Sequence, residues 1–130
     1  MTFAGPDAQH PSPAFWALIE RARADPAAAA TAIAALGSAE LADFYWTYEA
    51  ATEPLRDCEI PPGEPLPSED GLADVVAWAV AQGEAYYRDL LNGRRVLPTE
   101  SPSPPDLQSQ AGLRYEALVG EPLPTPPDRP

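Results

Sequence analysis

The sequence predicts an all-α domain, and three observations carry that prediction. Apolar residues recur at the three-and-four spacing of a helix face in one segment after another. Cap residues open those segments (Ser12, Asp25, Ser38, Ser68, Asp106), and Gly37, Asn92-Gly93 and Gly120 close them. No stretch alternates apolar and polar residues in the way a half-buried strand requires. The expected architecture is a small bundle of about five helices with a long central helix, a proline-rich loop and disordered proline-rich termini. Residues 1–12 read as a flexible lead-in, 13–120 as a single helical domain and 121–130 as a flexible tail.

The lead-in MTFAGPDAQHPS has little apolar content and holds His10, the one histidine, between Gln9 and Pro11. Ser12-Pro13 opens the first helix, with proline at the position where its missing N–H costs nothing. Phe15, Trp16, Ile19 and Ala22 or Arg23 then fall along one side, with Leu18 beside them. Asp25-Pro26 repeats the device for an alanine-rich second helix anchored by Ile33 and Leu36. The third helix, from Ser38, carries Leu41, Phe44, Tyr45, Tyr48, Thr52 and Leu55 on one face. Trp46 points away from that stripe, which leaves it either covering a second side of the bundle or exposed. Pro54 breaks or kinks the end of this helix, and residues 58–67 read as an irregular connection.

The stretch from Ser68 to Gly93 is expected to be one continuous helix around which the rest packs. Leu72, Val75, Val76, Ala79, Gly83, Tyr86 and Leu90 form its main face, widened by Val80, Tyr87 and Leu91. Ser68 caps it, and Glu69 and Asp70 set negative charge against the positive end of its dipole. An extended, proline-studded linker follows. The last helix, capped by Asp106, turns Leu107, Ala111, Tyr115 and Leu118 inward and stops at Gly120, with Leu123 able to anchor the start of the tail.

Composition limits the function classes. The chain has 130 residues, a net charge of −12, eight arginines and no lysine. Nucleic-acid binding needs a basic footprint that this chain lacks, and the same charge opposes adsorption to an anionic membrane. A basic protein partner fits it. Cys58 is the single cysteine, so no internal disulfide and no Cys/His zinc set is expected. Residues 1–20 lack the basic start and unbroken apolar run of a signal peptide, and no apolar stretch is long enough to span a membrane, so the expected compartment is the cytoplasm.

The search for chemistry yields candidates of unequal weight. Glu69, Asp70 and Asp74 cluster at the start of the long helix, with Asp70 and Asp74 one turn apart. Such carboxylates can hold a divalent ion or split their pKa values for acid–base work. The simpler reading is that Glu69 and Asp70 answer the helix dipole while Asp74 is solvated. No glycine-rich phosphate loop and no nucleophile with a base beside it is present, so no catalytic residue, metal or cofactor is assigned. Glu84 precedes Arg88 by four residues, the favourable order for an ion pair. The acidic neighbours Asp57 and Glu59 argue against a reactive Cys58. Trp46 and Trp78, off or at the margin of their main stripes, are candidate binding residues beside the acidic cluster, or else bury a helix on two sides.

Four blocks also carry a resemblance: FWALIERARA at 15–24, the run from Leu36 to Phe44, SEDGLADVVAWAVAQGEAYYRDLL at 68–91 and AGLRYEALVGEPLP at 111–124. Phe15, Trp16, Leu18 and Ile19 open the pattern, and Ser68, Glu69, Asp70 and Leu72 continue it. Trp78, Ala79, Val80 and Gly83 follow, and Tyr115, Gly120, Leu123 and Pro124 close it. In this order they resemble the bacterial domain of unknown function 4240, which implies a helical architecture and a bacterial source and brings no activity with it. Glu69 and Leu72 stand where that family has Asp and Phe, and CEIPPGEPLP replaces an aromatic-rich helix. The expected function is a non-enzymatic protein-binding module of the immunity or regulatory kind. The alternative is an enzyme or divalent-metal-binding protein using Glu69, Asp70 and Asp74. A homodimer that buries its second aromatic face against itself is a third possibility beside the monomer.

Overall fold

Cap chemistry sets the element boundaries in the computed structural model, which describes residues 2–100 and 107–124. The helices are α1 (Pro13–Ala24), α2 (Pro26–Ala34), α3 (Ser38–Thr52), α4 (Glu69–Ala81), α5 (Glu84–Leu91) and α6 (Leu107–Val119), with a 3₁₀ turn over Glu53–Asp57. No strand occurs among the described residues. Asp25 accepts from the backbone N–H groups of Ala27 and Ala28 at 3.1 and 3.3 Å, and the Ser68 hydroxyl accepts from Gly71 N–H at 3.1 Å. Ser12 stands at the N-cap but turns its hydroxyl to the Thr2 carbonyl instead, at 2.7 Å. Helix α3 begins one residue earlier than expected: Gly37 is its N-cap, and the Glu40 carboxylate accepts from Gly37 N–H at 3.3 Å. The expected cap Asp106 lies outside the described residues.

The long helix expected over 68–93 is two helices, so six α-helices, where about five were expected, occur among the described residues. Helix α4 ends in a tightened turn, with Gln82 and Gly83 N–H groups bonded to the Ala79 and Val80 carbonyls at 3.2 Å each. Gly83 then takes φ +105° and ψ 171° and becomes the N-cap of α5. That conformation is open to glycine and nearly closed to every other residue. The apolar three-and-four spacing runs through the break because α5 folds back onto the same core, so the pattern reads as unbroken. The far end follows expectation. Gly93 is left-handed at φ +73°, its N–H bonds Leu90 O at 3.3 Å and Arg94 N–H bonds Asp89 O at 2.9 Å, the paired closure of a Schellman motif.

The central element is α3 and not the 68–93 stretch. It packs against α6 and α4 and runs on into the 3₁₀ turn, while α2 bridges α1 and α6. It buries Leu41, Phe44, Thr47, Tyr48, Ala51 and Thr52. Phe15 of α1 meets Phe44 and Tyr48 at ring-centroid distances of 5.4 and 5.8 Å, and Trp16 meets Tyr87 of α5 at 5.3 Å. Two hydroxyls tie the layers together at 2.6 and 2.7 Å: Tyr48 donates to the Ala77 carbonyl of α4, and Tyr87 to the Ala51 carbonyl in the last turn of α3.

The lead-in, expected to be flexible, and the extended linker after α5 both contribute to this core. Phe3 is 1% exposed and stands edge-on against Phe44 at 5.2 Å. Its N–H donates to the Asp43 carboxylate at 2.6 Å, and its carbonyl accepts from Ser12 N–H at 2.9 Å. One large ring is enough to anchor the lead-in, since burying an aromatic removes roughly 150–250 Å² from water. Leu97, in the linker after α5, is also fully buried, and its N–H bonds the Glu59 carbonyl at 2.7 Å. That bond lays the linker along the 58–67 loop, which is irregular as expected.

Candidate functional site

Helix α4 places Asp70, Asp74 and Trp78 on one line, each a turn beyond the last. Asp70, Asp74 and the neighbouring Glu69 are exposed, and Trp78 is half-buried. The carboxylates do not converge on a common point: among the described residues no group of three or more His, Cys, Asp or Glu side chains is placed to hold a metal ion. Glu69 and Asp70 lie in the first turn, beside the Ser68 cap, where negative charge is favourable.

The acidic line ends at an aromatic pair. Trp78 stands edge-on to Tyr86 of α5 at 5.6 Å, and the Arg95 guanidinium covers the Tyr86 ring at 4.4 Å from its centre. Arg95 also faces Asp89 at 3.8 Å. Partial burial raises the Tyr86 phenol above its ordinary range, against a smaller opposing pull from Arg95. The Gln82 amide donates to the Trp78 carbonyl at 3.2 Å, which closes the end of α4 and fixes the helix that carries the indole. Here a cation already lies on an aromatic face, the arrangement that a second arginine or lysine could extend.

Trp46 is not part of this surface. Tyr48, two residues further along α3, faces α4 through its bond to Ala77, so Trp46 points away from α4, toward α6 and the chain beyond it. Its indole N–H donates to the Pro124 carbonyl at 2.9 Å, and its ring packs edge-on against Tyr45 at 4.9 Å. The sequence thus named five binding candidates, and the fold divides them between two faces: Glu69, Asp70, Asp74 and Trp78 on one, Trp46 on another.

The other sequence candidates take structural roles. Arg88 lies 3.7 Å from Glu84 and 5.5 Å from the centre of the Tyr87 ring. His10 is exposed and bonds the Asp7 carboxylate at 2.7 Å, so the lead-in supplies an orienting partner that the sequence did not suggest. That hydrogen bond holds the Asp7 carboxyl below its usual range. Burial, helped by Asp57, pushes the Cys58 thiol up and away from reactivity. Sequence reasoning missed the Arg95–Tyr86 stack and the state of the Trp16 indole N–H, which is buried without an acceptor among the described residues. Both depend on contacts between separate elements, for which local spacing gives no signal.

No protein-family model, curated protein or solved structure matches the chain.

Proposed function

We propose that the chain is a non-enzymatic helical module that binds a basic protein partner through the α4 face, in a regulatory or immunity-type role in the bacterial cytoplasm. The observation that supports this most directly is the line Asp70–Asp74–Trp78 leading to the Tyr86–Arg95 stack. Exposed carboxylates supply long-range attraction and registry for Arg or Lys side chains, while a half-buried indole supplies area that can be desolvated. The net charge of −12 steers a cationic surface toward it. The family reading rests on the four sequence blocks alone and adds a bacterial source without an activity.

Co-purification from the native host tests the proposal, comparing the unaltered chain with Asp70→Arg plus Asp74→Arg and with Trp78→Ala. The charge reversal is expected to abolish partner recovery at physiological salt, and the indole truncation to reduce it. Equal recovery by all three proteins would remove the idea. Calorimetry with Mg²⁺, Mn²⁺ and Ca²⁺ at millimolar concentration is expected to give flat traces; heat of binding lost in Asp70→Asn plus Asp74→Asn would favour metal binding instead.

A further inference from the structure

The tail segment seated on Trp46 has a twin elsewhere in the chain. Residues 120–124 read Gly-Glu-Pro-Leu-Pro, and residues 63–67 in the loop before α4 read the same. Both glycines are left-handed, at φ +79° and +81°. The two copies differ in what their leucines do. Leu123 lies against α6 beside Tyr45: an ideal Cβ built on Gly112 would stand 3.5 Å from Leu123 Cδ1 and 3.4 Å from the Tyr45 ring. Leu66 is 81% exposed.

Two adjacent features hold the tail here: Leu123 shares with the Tyr45 ring the space over Gly112 of α6, and the Trp46 indole N–H donates to the Pro124 carbonyl. This is the general way aromatic grooves hold proline-rich chains, whose carbonyls are free acceptors because proline has no N–H to pair among themselves. Proline also fixes its own φ and biases the preceding residue toward extended backbone. A Pro-Leu-Pro unit therefore loses little freedom on docking, in either copy. The loop copy is held at one end by Thr99, whose hydroxyl donates to the Glu64 carboxylate at 2.6 Å, while its leucine projects into solvent.

We propose that the Tyr45–Trp46 groove is a receptor for the Gly-Glu-Pro-Leu-Pro segment, occupied within the chain by residues 120–124 and open to the 63–67 loop of a second copy when the tail is displaced. The tail thereby limits self-association. A tethered competitor has an effective concentration on the order of millimolar, so the unaltered chain stays monomeric until its own concentration approaches that value. This face is separate from the α4 line, and Asp70→Arg plus Asp74→Arg leaves it intact.

Two measurements on the full-length chain test the proposal. Light scattering is expected to find Leu123→Asp associating at concentrations where the unaltered chain is monomeric. Adding Leu66→Asp, a change at an exposed site, should return it to monomer, and adding Trp46→Phe should weaken the association. In parallel, a synthetic peptide of residues 61–68 is titrated while the Trp46 indole resonance is followed, assigned by its loss in Trp46→Phe. The peptide should shift that resonance at lower concentration in Leu123→Asp than in the unaltered chain, and a peptide with Asp in place of the leucine should not. A monomeric Leu123→Asp at millimolar concentration, or association indifferent to Leu66→Asp, overturns the proposal. Peptide binding without self-association also overturns it, assigning the groove to another protein's proline-rich segment.

Discussion

At Gly83 and Gly112 the same change, glycine to alanine, should move stability in opposite directions. Gly83 sits at φ +105°, with the Glu20 and Arg23 side chains of α1 against the place where a Cβ would go. The two side chains can swing aside, but the backbone cannot relax without moving α5. Gly83→Ala should therefore destabilise by about 1–3 kcal/mol, the usual cost of holding a residue in such a region. Gly112 lies inside α6, and an added Cβ would meet Tyr45 and Leu123 at ordinary contact distances, 3.4 and 3.5 Å. There the loss of unfolded-state freedom should dominate, and Gly112→Ala should stabilise by roughly 0.4–1 kcal/mol. Thermal unfolding of the two variants beside the parent gives both signs in one experiment. A stabilised Gly83→Ala would mean that the α4–α5 break is not a fixed feature of the fold.

At the scale of elements, legibility followed the range of the interaction. Helix starts at Pro13, Pro26 and Glu69 and the stops at Gly93 and Gly120 come from caps, prolines and glycines within a few residues of the boundary, and these were readable. The buried face of α1 was readable too, because one amphipathic stripe meets one core. The break at Gly83 was not, since a glycine inside a helical pattern is ambiguous until the fold turns there. The burial of Phe3 and Leu97 and the division of the binding candidates between two faces needed tertiary contacts that local periodicity does not encode. Tyr87 shows how such a contact joins elements. Its hydroxyl, 2.7 Å from the Ala51 carbonyl, satisfies an acceptor in the last turn of α3. Tyr87→Phe leaves that acceptor unpaired and should cost about 1–3 kcal/mol. Burial also pushes the Tyr87 phenol well above its ordinary value of 10.0, and it raises Cys58 above 9.0 in the same region. Both groups are neutral when folded and ionise more readily when unfolded, so the unfolded state holds fewer protons at alkaline pH. Their stabilisation is complete below about pH 9 and is lost as pH rises above it. Urea midpoints should be level from pH 7 to about 9 and fall beyond that, less steeply in Tyr87→Phe.

Over the whole molecule, twenty acidic residues against eight basic ones make self-repulsion the dominant long-range term. Ion pairs that oppose it among the described residues are local and at least partly solvent-exposed, and they include Glu20 with Arg23 at 3.1 Å, Glu84 with Arg88 at 3.7 Å and Asp89 with Arg95 at 3.8 Å. Exposed pairs of this kind contribute about 0–1 kcal/mol each. Salt screens attraction and repulsion alike, with a Debye length falling from about 30 Å at 0.01 M to about 8 Å at 0.15 M. The paired charges lie well inside either length and lose little. Repulsion between like charges on different helices acts over longer distances and loses most. Raising NaCl from about 0.01 to 0.15 M, where the Debye length shortens past those separations, should therefore raise the melting temperature. Asp70→Arg plus Asp74→Arg reduces the net negative charge, so its melting temperature should rise less over the same range, although reversing charge in the first turn of α4 costs roughly 0.3–1 kcal/mol at low salt. The two effects separate cleanly: the dipole cost sets the variant's offset at the lowest salt, and the repulsion sets the slope. A parent melting temperature that falls with salt would show that short-range pairing, and not net charge, governs the electrostatics of this fold, and would weaken the case for long-range steering of a basic partner.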